Sequence, residues 1–265
     1  MSYNMNEIVA QSDVVFITLD TLRYDVAQQL WEAGKLPNFS KWLSPQGWEK
    51  RHSPGSFTYA AHHAFFAGFL PTPIVAAKHP RLFATRFAGS ETAVQDTCIF
   101  DAATIVEGFQ QKGFKTICIG GVGFFNQQTP LSKVFPSFFE ESYWTPSFGV
   151  TEKNSTQYQL EKAAELLAAN PDPVFLFINI SALHQPNCFY LENAVEDTIE
   201  SHAAALEYVD RQLPILMQAL NQRQQTFVIC CADHGTTYGE DGYTGHRIGH
   251  PNVWTVPYLE VLVKQ

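Results

Sequence analysis

The sequence predicts an α/β protein with a mainly parallel central sheet and helices on both faces. Short apolar runs that suit strands alternate along the chain with longer amphipathic segments that suit helices. Two of the apolar runs, 13–19 and 226–232, are followed directly by the carboxylates Asp20 and Asp233. Open α/β sheets place their ligand sites at such strand ends. The 265 residues can bury a substantial core, and no repeat or linker divides them, so we expect a single domain over 1–265.

The hydrophobic pattern gives each element in order. Apolar runs predict strands over 13–19, 115–119, 174–180, 226–232 and 256–263. Helical periodicity predicts helices over 24–33, 58–67, 102–111, 156–169 and 194–220. Pro214 lies inside the last of these helices and is expected to kink or divide it. Residues 83–101 and 135–148 lack a clear period and suit a cap or a substrate loop.

The amino-acid composition indicates a globular protein and argues against some classes of partner. Hydrophobic residues make up 45% of the chain and aromatic residues 14%, as in globular proteins. The formal net charge of −9, with no cluster of Lys and Arg, argues against a nucleic-acid or anionic-membrane partner. No signal peptide or long apolar run is visible, so we expect no membrane span and a cytoplasmic location. The five cysteines show no metal-type spacing and suit a reducing compartment.

The segment Cys231-Ala232-Asp233-His234-Gly235 is typical of a metal site at the end of a buried strand. Carboxylate and imidazole are both common metal ligands. Asp20 ends another strand, and two such strands can converge on one ion. An N-cap is the other interpretation of an aspartate at this kind of position, and for Asp25 a cap or a surface ion pair is favoured.

Thr58 opens a predicted helix after Ser53-Pro54-Gly55-Ser56-Phe57. A hydroxyl at a helix N-terminus lies among free N–H groups in a positive field, which suits a phosphate, a sulfate or a developing alkoxide. An ordinary helix cap is the alternative for Thr58, and Ser56 could have the same role.

Histidines are concentrated toward the C-terminus. His234, His246 and His250 occupy one polar, Gly-rich segment, and His184 stands in Leu183-His184-Gln185-Pro186. Neutral imidazole serves both as a metal ligand and in acid–base catalysis, although a single histidine is often structural. The pair at 62 and 63 lies inside the Thr58 helix and is expected to pack or to support the site from behind.

Taken in order, these segments resemble the alkaline phosphatase superfamily, in particular its sulfatase and phosphoethanolamine-transferase branches. Residues 17–25 (Ile-Thr-Leu-Asp-Thr-Leu-Arg-Tyr-Asp) are similar to the first metal-ligand segment of sulfatase-like enzymes. Thr58 lies ten residues before Gly68, which begins the turn at 68–71. Sulfatases carry their catalytic cysteine at this spacing before a similar turn. Residues 233–235 with His246 resemble the C-terminal metal segment of the transferases, and 184–186 resemble a His-x-Pro segment of both branches. Residues 205–210 resemble the helix that these families place before the strand that leads to the C-terminal metal segment.

The resemblance implies a set of roles. Asp20, Asp233 and His234 would hold one divalent cation, Zn, Mn or Mg, with Thr58 as a further ligand and as the nucleophile that forms a phosphothreonine intermediate. His184 and His246 would contact the transferred group or hold a weaker second ion, and His250 would be an acid for the leaving group. Arg23 or Lys78 would neutralise charge on a small anionic ester substrate.

The departures from the family pattern leave three functions open. Position 58 is Thr rather than Cys, which argues against formylglycine sulfatase chemistry, and position 180 is Ile where a second metal site would carry Asp. The leading prediction is a metal-dependent hydrolase or transferase of phosphate esters. A sulfuric-ester hydrolase or phosphomutase-like enzyme of the same fold is one alternative, and an inactive metal-binding domain is the other. The aromatic residues between 124 and 148 suit either the core or a pocket for an apolar leaving group.

Overall fold

The centre of the fold is strand β1 (Asp13–Leu19), which is buried along its whole length. The structure is a computed structural model that describes residues 3–68 and 103–265. On one side β1 pairs in parallel with β6 (Gln225–Cys231), and on the other with β5 (Val174–Ile180). Because β1 lies between two parallel neighbours, the residue after its last position is enclosed on both sides.

Seven strands form the main sheet of the described residues. Their order is β2-β9-β6-β1-β5-β3-β4, in which β2 (Glu49–His52) and β9 (Thr255–Lys264) are antiparallel additions at one edge, and β3 (Lys115–Ile119) and β4 (Glu141–Tyr143) complete the parallel part. A short hairpin pairs β7 (Thr237–Tyr238) with β8 (Thr244–Gly245). The predicted mainly parallel sheet is confirmed. The antiparallel edge strand β2 was not predicted, because its four exposed residues carry no apolar alternation.

Helices cover both faces of the sheet, as predicted. The helices are α1 (Met5–Gln11), α2 (Tyr24–Glu32), α3 (Thr58–Ala67), α4 (Ile105–Gln111), α5 (Ser155–Ala169), α6 (Ile199–Leu220) and α7 (Pro251–Trp254). One buried cluster joins alternate side chains of β1, such as Val15 and Ile17, to α2, α5 and α6. A second cluster joins Val14 and Phe16 to α3, α4 and the aromatic residues that follow β3. Because alternate side chains of β1 pack into these two clusters, both faces of the strand are buried and both carry apolar residues.

Of the two outcomes expected for Pro214, a kink or a division of the last long helix, the division does not occur. Helix α6 runs without a break from Ile199 to Leu220 and begins five residues later than predicted, because Thr198 caps it through a capping box. A proline at position 214 removes the hydrogen bond that its N–H would give to the carbonyl of Asp210. That carbonyl instead accepts a hydrogen bond from Asn38 Nδ2 at 3.0 Å. The lost helical bond is therefore replaced by a tertiary one.

The segment 135–148, expected as a cap or substrate loop, contributes to the core. Phe135, Phe139 and Phe148 are buried, and β4 adds the edge strand of the sheet. The other aperiodic segment, 83–101, lies outside the described residues. Among the residues that the structure describes, no helix is long and apolar enough to cross a membrane.

Candidate metal and nucleophile site

Asp20, Asp233 and His234 form a compact cluster at the carboxyl ends of β1 and β6. All three side chains are fully buried, and each offers one ligand atom within 4.8 Å of the others. The register explains the approach: Thr18 pairs with Cys231 in the parallel ladder, so Asp20 and Asp233 each follow their paired residue by two positions. The sequence prediction that these two strand ends converge agrees with this arrangement.

Each carboxylate of the cluster keeps one oxygen without a hydrogen bond. Among the residues described, Asp20 Oδ1 and Asp233 Oδ2 have no hydrogen-bond partner although both are buried. The other oxygen of Asp233 accepts the backbone N–H groups of Thr21 at 3.2 Å and His234 at 3.0 Å. Buried polar oxygens without a partner are costly, and a bound cation would satisfy them.

The electrostatics of the cluster favour a positive ligand. Burial raises the pKa of Asp20, and the nearby Asp233 carboxylate raises it further. Burial also raises the pKa of Asp233, against the lowering effect of its backbone hydrogen bonds. Two carboxylates in a low-dielectric site disfavour each other's ionised form until a cation compensates their charge. Two carboxylate oxygens and one imidazole nitrogen suit Zn²⁺, Mn²⁺ or Mg²⁺, so the donor set fits the expected metal.

His234 is oriented for ligation by its own backbone surroundings. Its Nδ1 lies 2.8 Å from the carbonyl oxygen of Gly235, to which an Nδ1–H donates. This tautomer leaves the lone pair of Nε2 free, 3.5 Å from Asp233 Oδ2 and 4.0 Å from Asp20 Oδ1. Burial lowers the pKa of His234, which disfavours the charged imidazolium.

Thr58 begins α3, and its hydroxyl reaches the cluster. Thr58 Oγ1 donates to Asp20 Oδ2 at 3.3 Å and lies 3.3 Å from His234 Nε2. Phe57 is the N-cap with an extended backbone and no capping side chain, so the first N–H groups of α3 lack partners within the helix. The hydroxyl therefore lies at a positive helix end and beside the possible metal ligands at once.

Two buried residues lie behind the cluster: Asn179, which the sequence analysis did not single out, and His62, which was expected to pack or to support the site from behind. Asn179, inside β5, donates through Nδ2 to Asp20 Oδ2 at 3.3 Å and to Thr18 Oγ1 at 3.1 Å. His62, on α3, contacts Thr18 Oγ1 and the carbonyl oxygen of Thr58. A polar residue within the apolar run Val-Phe-Leu-Phe-Ile-Asn-Ile was the available signal for Asn179.

A cavity of about 250 Å³ lies over Thr58. Besides Thr58, its polar lining residues are His184, His246, Arg247, Thr129 and Ser132. The apolar lining consists of Val122, Gly123, Phe124, Leu131 and Val150. His184 and His246 therefore share a cavity lining with Thr58, whereas Arg247, which also lines it, was not singled out from the sequence.

The three histidines near the cavity lie close together. The ring centres of His246 and His234 are 4.6 Å apart, and those of His246 and His184 are 5.8 Å apart. Burial, followed by the charges of neighbouring groups, lowers the pKa of His246 to about 3. Ile180, at the position where a second site would need Asp, is buried in the apolar core. A fully formed second site therefore lacks that ligand.

Arg23 and His250 have contacts other than those expected. The Arg23 guanidinium is buried and forms ion pairs with Asp25 and Glu240. His250 caps α7: its Nδ1 accepts the N–H of Asn252 at 3.1 Å, and its Nε2 lies 3.1 Å from Asp241 Oδ2. Both side chains therefore make contacts within the protein, and their roles toward a substrate stay predictions. Lys78 lies outside the described residues.

Three further sequence predictions concern Asp25, Ser56 and the aromatic residues between 124 and 148. Asp25 is in the expected ion pair, and its carboxylate also lies in the first turn of α2. The Ser56 carbonyl accepts the N–H of Arg247, and the structure describes no contact between its hydroxyl and the cluster. Of the aromatic residues from 124 to 148, Phe124 lines the cavity, whereas Phe125, Phe135 and Phe139 are in the core.

Comparison with known proteins places the chain in a family. The family model described as Sulfatase matches residues 12–262. No curated protein sequence matches the chain significantly. In structure it is similar to the soluble domain of lipooligosaccharide phosphoethanolamine transferase A from Neisseria meningitidis, with TM-score 0.64 and 16% identity over 96% of this chain and 77% of that one.

Two further solved structures share the fold. The C-terminal periplasmic domain of EcEptC from Escherichia coli, solved as a zinc complex, has TM-score 0.61 and 13% identity over 94% of this chain and 72% of that one. A protein of the alkaline phosphatase superfamily from Vibrio parahaemolyticus has TM-score 0.59 and 16% identity over 95% and 60%. These likenesses show that the α/β fold is that of the alkaline phosphatase superfamily.

Proposed function

Because the chain belongs to the sulfatase family, we propose that it is a metal-dependent hydrolase or transferase of phosphate esters with Thr58 as its nucleophile. The observation that carries the proposal is the position of Thr58, which lines a cavity and whose Oγ1 lies 3.3 Å from both Asp20 Oδ2 and His234 Nε2. The substrate is a small anionic ester, and neither nucleic acid nor membrane is a partner. We place the protein in the cytoplasm.

The residues that would hold the cation are Asp20, Asp233, His234 and Thr58. When bound, a divalent cation supplies positive charge that lowers the cost of a threonine alkoxide near neutral pH. The chain prepares the hydroxyl for deprotonation in two further ways. Asp20 Oδ2 accepts its hydrogen bond, and the N-terminus of α3 favours negative charge at Oγ1. The zinc complex of the Escherichia coli relative supports the metal.

The reaction proceeds in two displacements. Thr58 gives up its hydroxyl proton to solvent, and its Oγ1 forms a bond to phosphorus while the bond from phosphorus to the leaving alcohol oxygen breaks and that oxygen takes up a proton. Water or a second alcohol then loses a proton and attacks phosphorus, the bond to Thr58 Oγ1 breaks, and Oγ1 regains a proton as the product leaves. His184 lines the cavity and is the proposed proton donor to the leaving oxygen. His250 is not chosen for this role because both of its ring nitrogens have hydrogen-bond partners at the start of α7 and in the preceding loop.

A sulfuric-ester hydrolase is the second candidate, because the matching family model is that of sulfatases. Threonine at position 58 favours the phosphate ester, since it cannot be matured to formylglycine. An inactive metal-binding domain is the third candidate. The presence of both the nucleophile and the three possible ligands argues against it.

The test combines metal content with turnover on phosphate monoesters, phosphate diesters and sulfate esters. The Thr58→Ala variant is expected to retain bound metal and to lose turnover by at least three orders of magnitude, since covalent catalysis is removed. Asp233→Ala is expected to lose both metal and turnover. Ser56→Ala removes a hydroxyl two residues away and serves as the control that keeps both. Full turnover by Thr58→Ala would refute the proposed nucleophile.

A further inference from the structure

Arg247 presents a cationic side chain at the cavity over Thr58. The side chain is exposed, and its guanidinium carbon lies 5.3 Å from the centre of the Phe57 ring. Within residues 3–68 and 103–265, no carboxylate forms an ion pair with it, in contrast to the doubly paired Arg23. A guanidinium without an acidic partner keeps its hydrogen-bond donors available for an anionic ligand.

The backbone holds Arg247 beside the nucleophile helix. Its N–H donates to the carbonyl of Ser56 at 2.8 Å, and its φ is +68°, a conformation that residues other than glycine rarely adopt. Phe57, on which the guanidinium lies, is the residue directly before Thr58. The loop and the start of α3 are thus joined both by a main-chain hydrogen bond and by a cation–π contact.

Arg247 supplies a fixed positive charge that the rest of the lining lacks. Of the described residues that line the cavity, it is the only arginine or lysine. Val122, Phe124 and Leu131 contribute apolar surface. The lining therefore combines one permanent cation with an apolar wall.

We propose that Arg247 is a specificity-determining residue that binds a non-bridging oxygen of the ester group above Thr58. The inference rests on the proposed function, which it deepens by naming the residue that recognises the anionic group. A planar guanidinium can donate two parallel hydrogen bonds to a tetrahedral oxyanion, which lysine cannot. The alcohol part of the substrate then faces the apolar wall that includes Phe124 and Leu131.

The test measures the binding of inorganic phosphate by calorimetry in metal-replete buffer. Arg247→Met keeps the long apolar stem on Phe57 but removes the charge, and we expect a loss of affinity of about 10-fold or more. Arg247→Lys is expected to recover only part of the loss. Arg51→Met is the matched control, because Arg51 is also exposed and lies 5.0 Å from an aromatic ring, that of Tyr258.

Kinetics add a readout that a general structural effect would not give. With a phosphate ester that the wild type turns over, Arg247→Met is expected to raise KM by the same factor by which phosphate affinity falls. Unchanged phosphate affinity in Arg247→Met, or an equal loss in Arg51→Met, would overturn the inference. If Arg247→Met does not fold, Arg247→Gln is measured in its place by the same criteria.

The two proposals fail independently. Thr58→Ala is expected to bind phosphate while losing turnover. Retained turnover in Thr58→Ala refutes the nucleophile but leaves the Arg247 assignment standing on phosphate affinity. Loss of turnover in Thr58→Ala, together with unchanged phosphate affinity in Arg247→Met, refutes the Arg247 assignment alone.

Discussion

His62 forms a hydrogen-bonded bridge to Thr18 at the back of the site. Its Nε2 lies 3.1 Å from Thr18 Oγ1, and its Nδ1 lies 2.8 Å from the carbonyl oxygen of Thr58. A carbonyl only accepts, so Nδ1 carries the proton and Nε2 accepts from the threonine hydroxyl. Burial lowers the pKa of His62 to about 3, which fixes this neutral form. The imidazole thus joins β1 to the first turn of α3.

Replacing His62 by phenylalanine is expected to lower the free energy of unfolding by about 1–3 kcal/mol, because the Thr18 hydroxyl loses its buried acceptor. Thr18→Val removes the other partner of the same bond. The double variant is then expected to be more stable than the sum of the single effects predicts, by about 0.5–2 kcal/mol. Urea denaturation of the four proteins measures this coupling. Strict additivity would mean that the bridge does not contribute to stability.

Asn179 is expected to matter for metal affinity. Its Nδ2 donates to Asp20 Oδ2, and its Oδ1 accepts the N–H of Val122 at 3.0 Å, so the amide is held in one orientation. Substitution of groups that orient metal ligands typically costs about 10–100-fold in metal affinity. We expect a loss of that size in Asn179→Ala, measured by competition with a chelator.

The matched control is Asn170→Ala. Asn170 follows α5 and donates to the carbonyl of Leu166, a bond that belongs to the end of that helix. Metal affinity is expected to be unchanged in this variant. Equal losses in the two variants would show that the effect of Asn179 is global rather than local to Asp20.

The pairing of the two carboxylates could be predicted from the sequence, because parallel strands carry their ends to one edge of a sheet. Asp20 and Asp233 each follow an apolar run, and the register between β1 and β6 brings them together. By contrast, the continuity of α6 through Pro214 depends on Asn38, 176 positions earlier in the sequence. No local sequence pattern predicts that a distant side chain will replace a hydrogen bond that the helix has lost.

The individual roles of polar side chains were harder to predict. His250 has the residue type and the neighbourhood of a catalytic acid, but the Asn252 N–H and Asp241 engage its two nitrogens. Arg247 is a single exposed residue with no periodic signal, and its position depends on a backbone bond to Ser56. Composition and spacing identify such side chains, but only the folded loop decides which contacts they make.

His202 is expected to make stability depend on pH in a defined window. Burial, together with the charge of Arg23, lowers its pKa to about 3, and its ring contacts the Tyr238 hydroxyl at 3.0 Å. The ordinary value of about 6.5 applies to the unfolded chain, so the folded state binds fewer protons between pH 6.5 and 3. Its contribution to stability is therefore fully present above pH 6.5 and is lost as the pH falls below it.

The comparison of wild type with His202→Gln tests that dependence. Relative to this variant, the wild type is expected to lose about 1.4 kcal/mol of unfolding free energy per pH unit between pH 6 and pH 4. Urea denaturation at pH 7.5, 6, 5 and 4 gives the slope. His52→Gln, which replaces an exposed histidine on β2, is the control for the substitution itself. A difference between wild type and His202→Gln that does not change with pH would refute the burial effect.

Gly235 is expected to tolerate no side chain. A Cβ at this position would lie 1.9 Å from the carbonyl oxygen of Asn252, and the glycine's own carbonyl accepts the proton of His234 Nδ1. Gly235→Ala must therefore displace either α7 or the His234 loop, and we expect it to cost about 2–4 kcal/mol and to weaken metal binding. Gly108→Ala is the control within α4, where a Cβ meets no atom within 4 Å. That change is expected to stabilise the protein by about 0.5–1 kcal/mol, since alanine favours a helix interior. If thermal unfolding ranked the two variants in the opposite order, the close approach of Asn252 to Gly235 would be refuted.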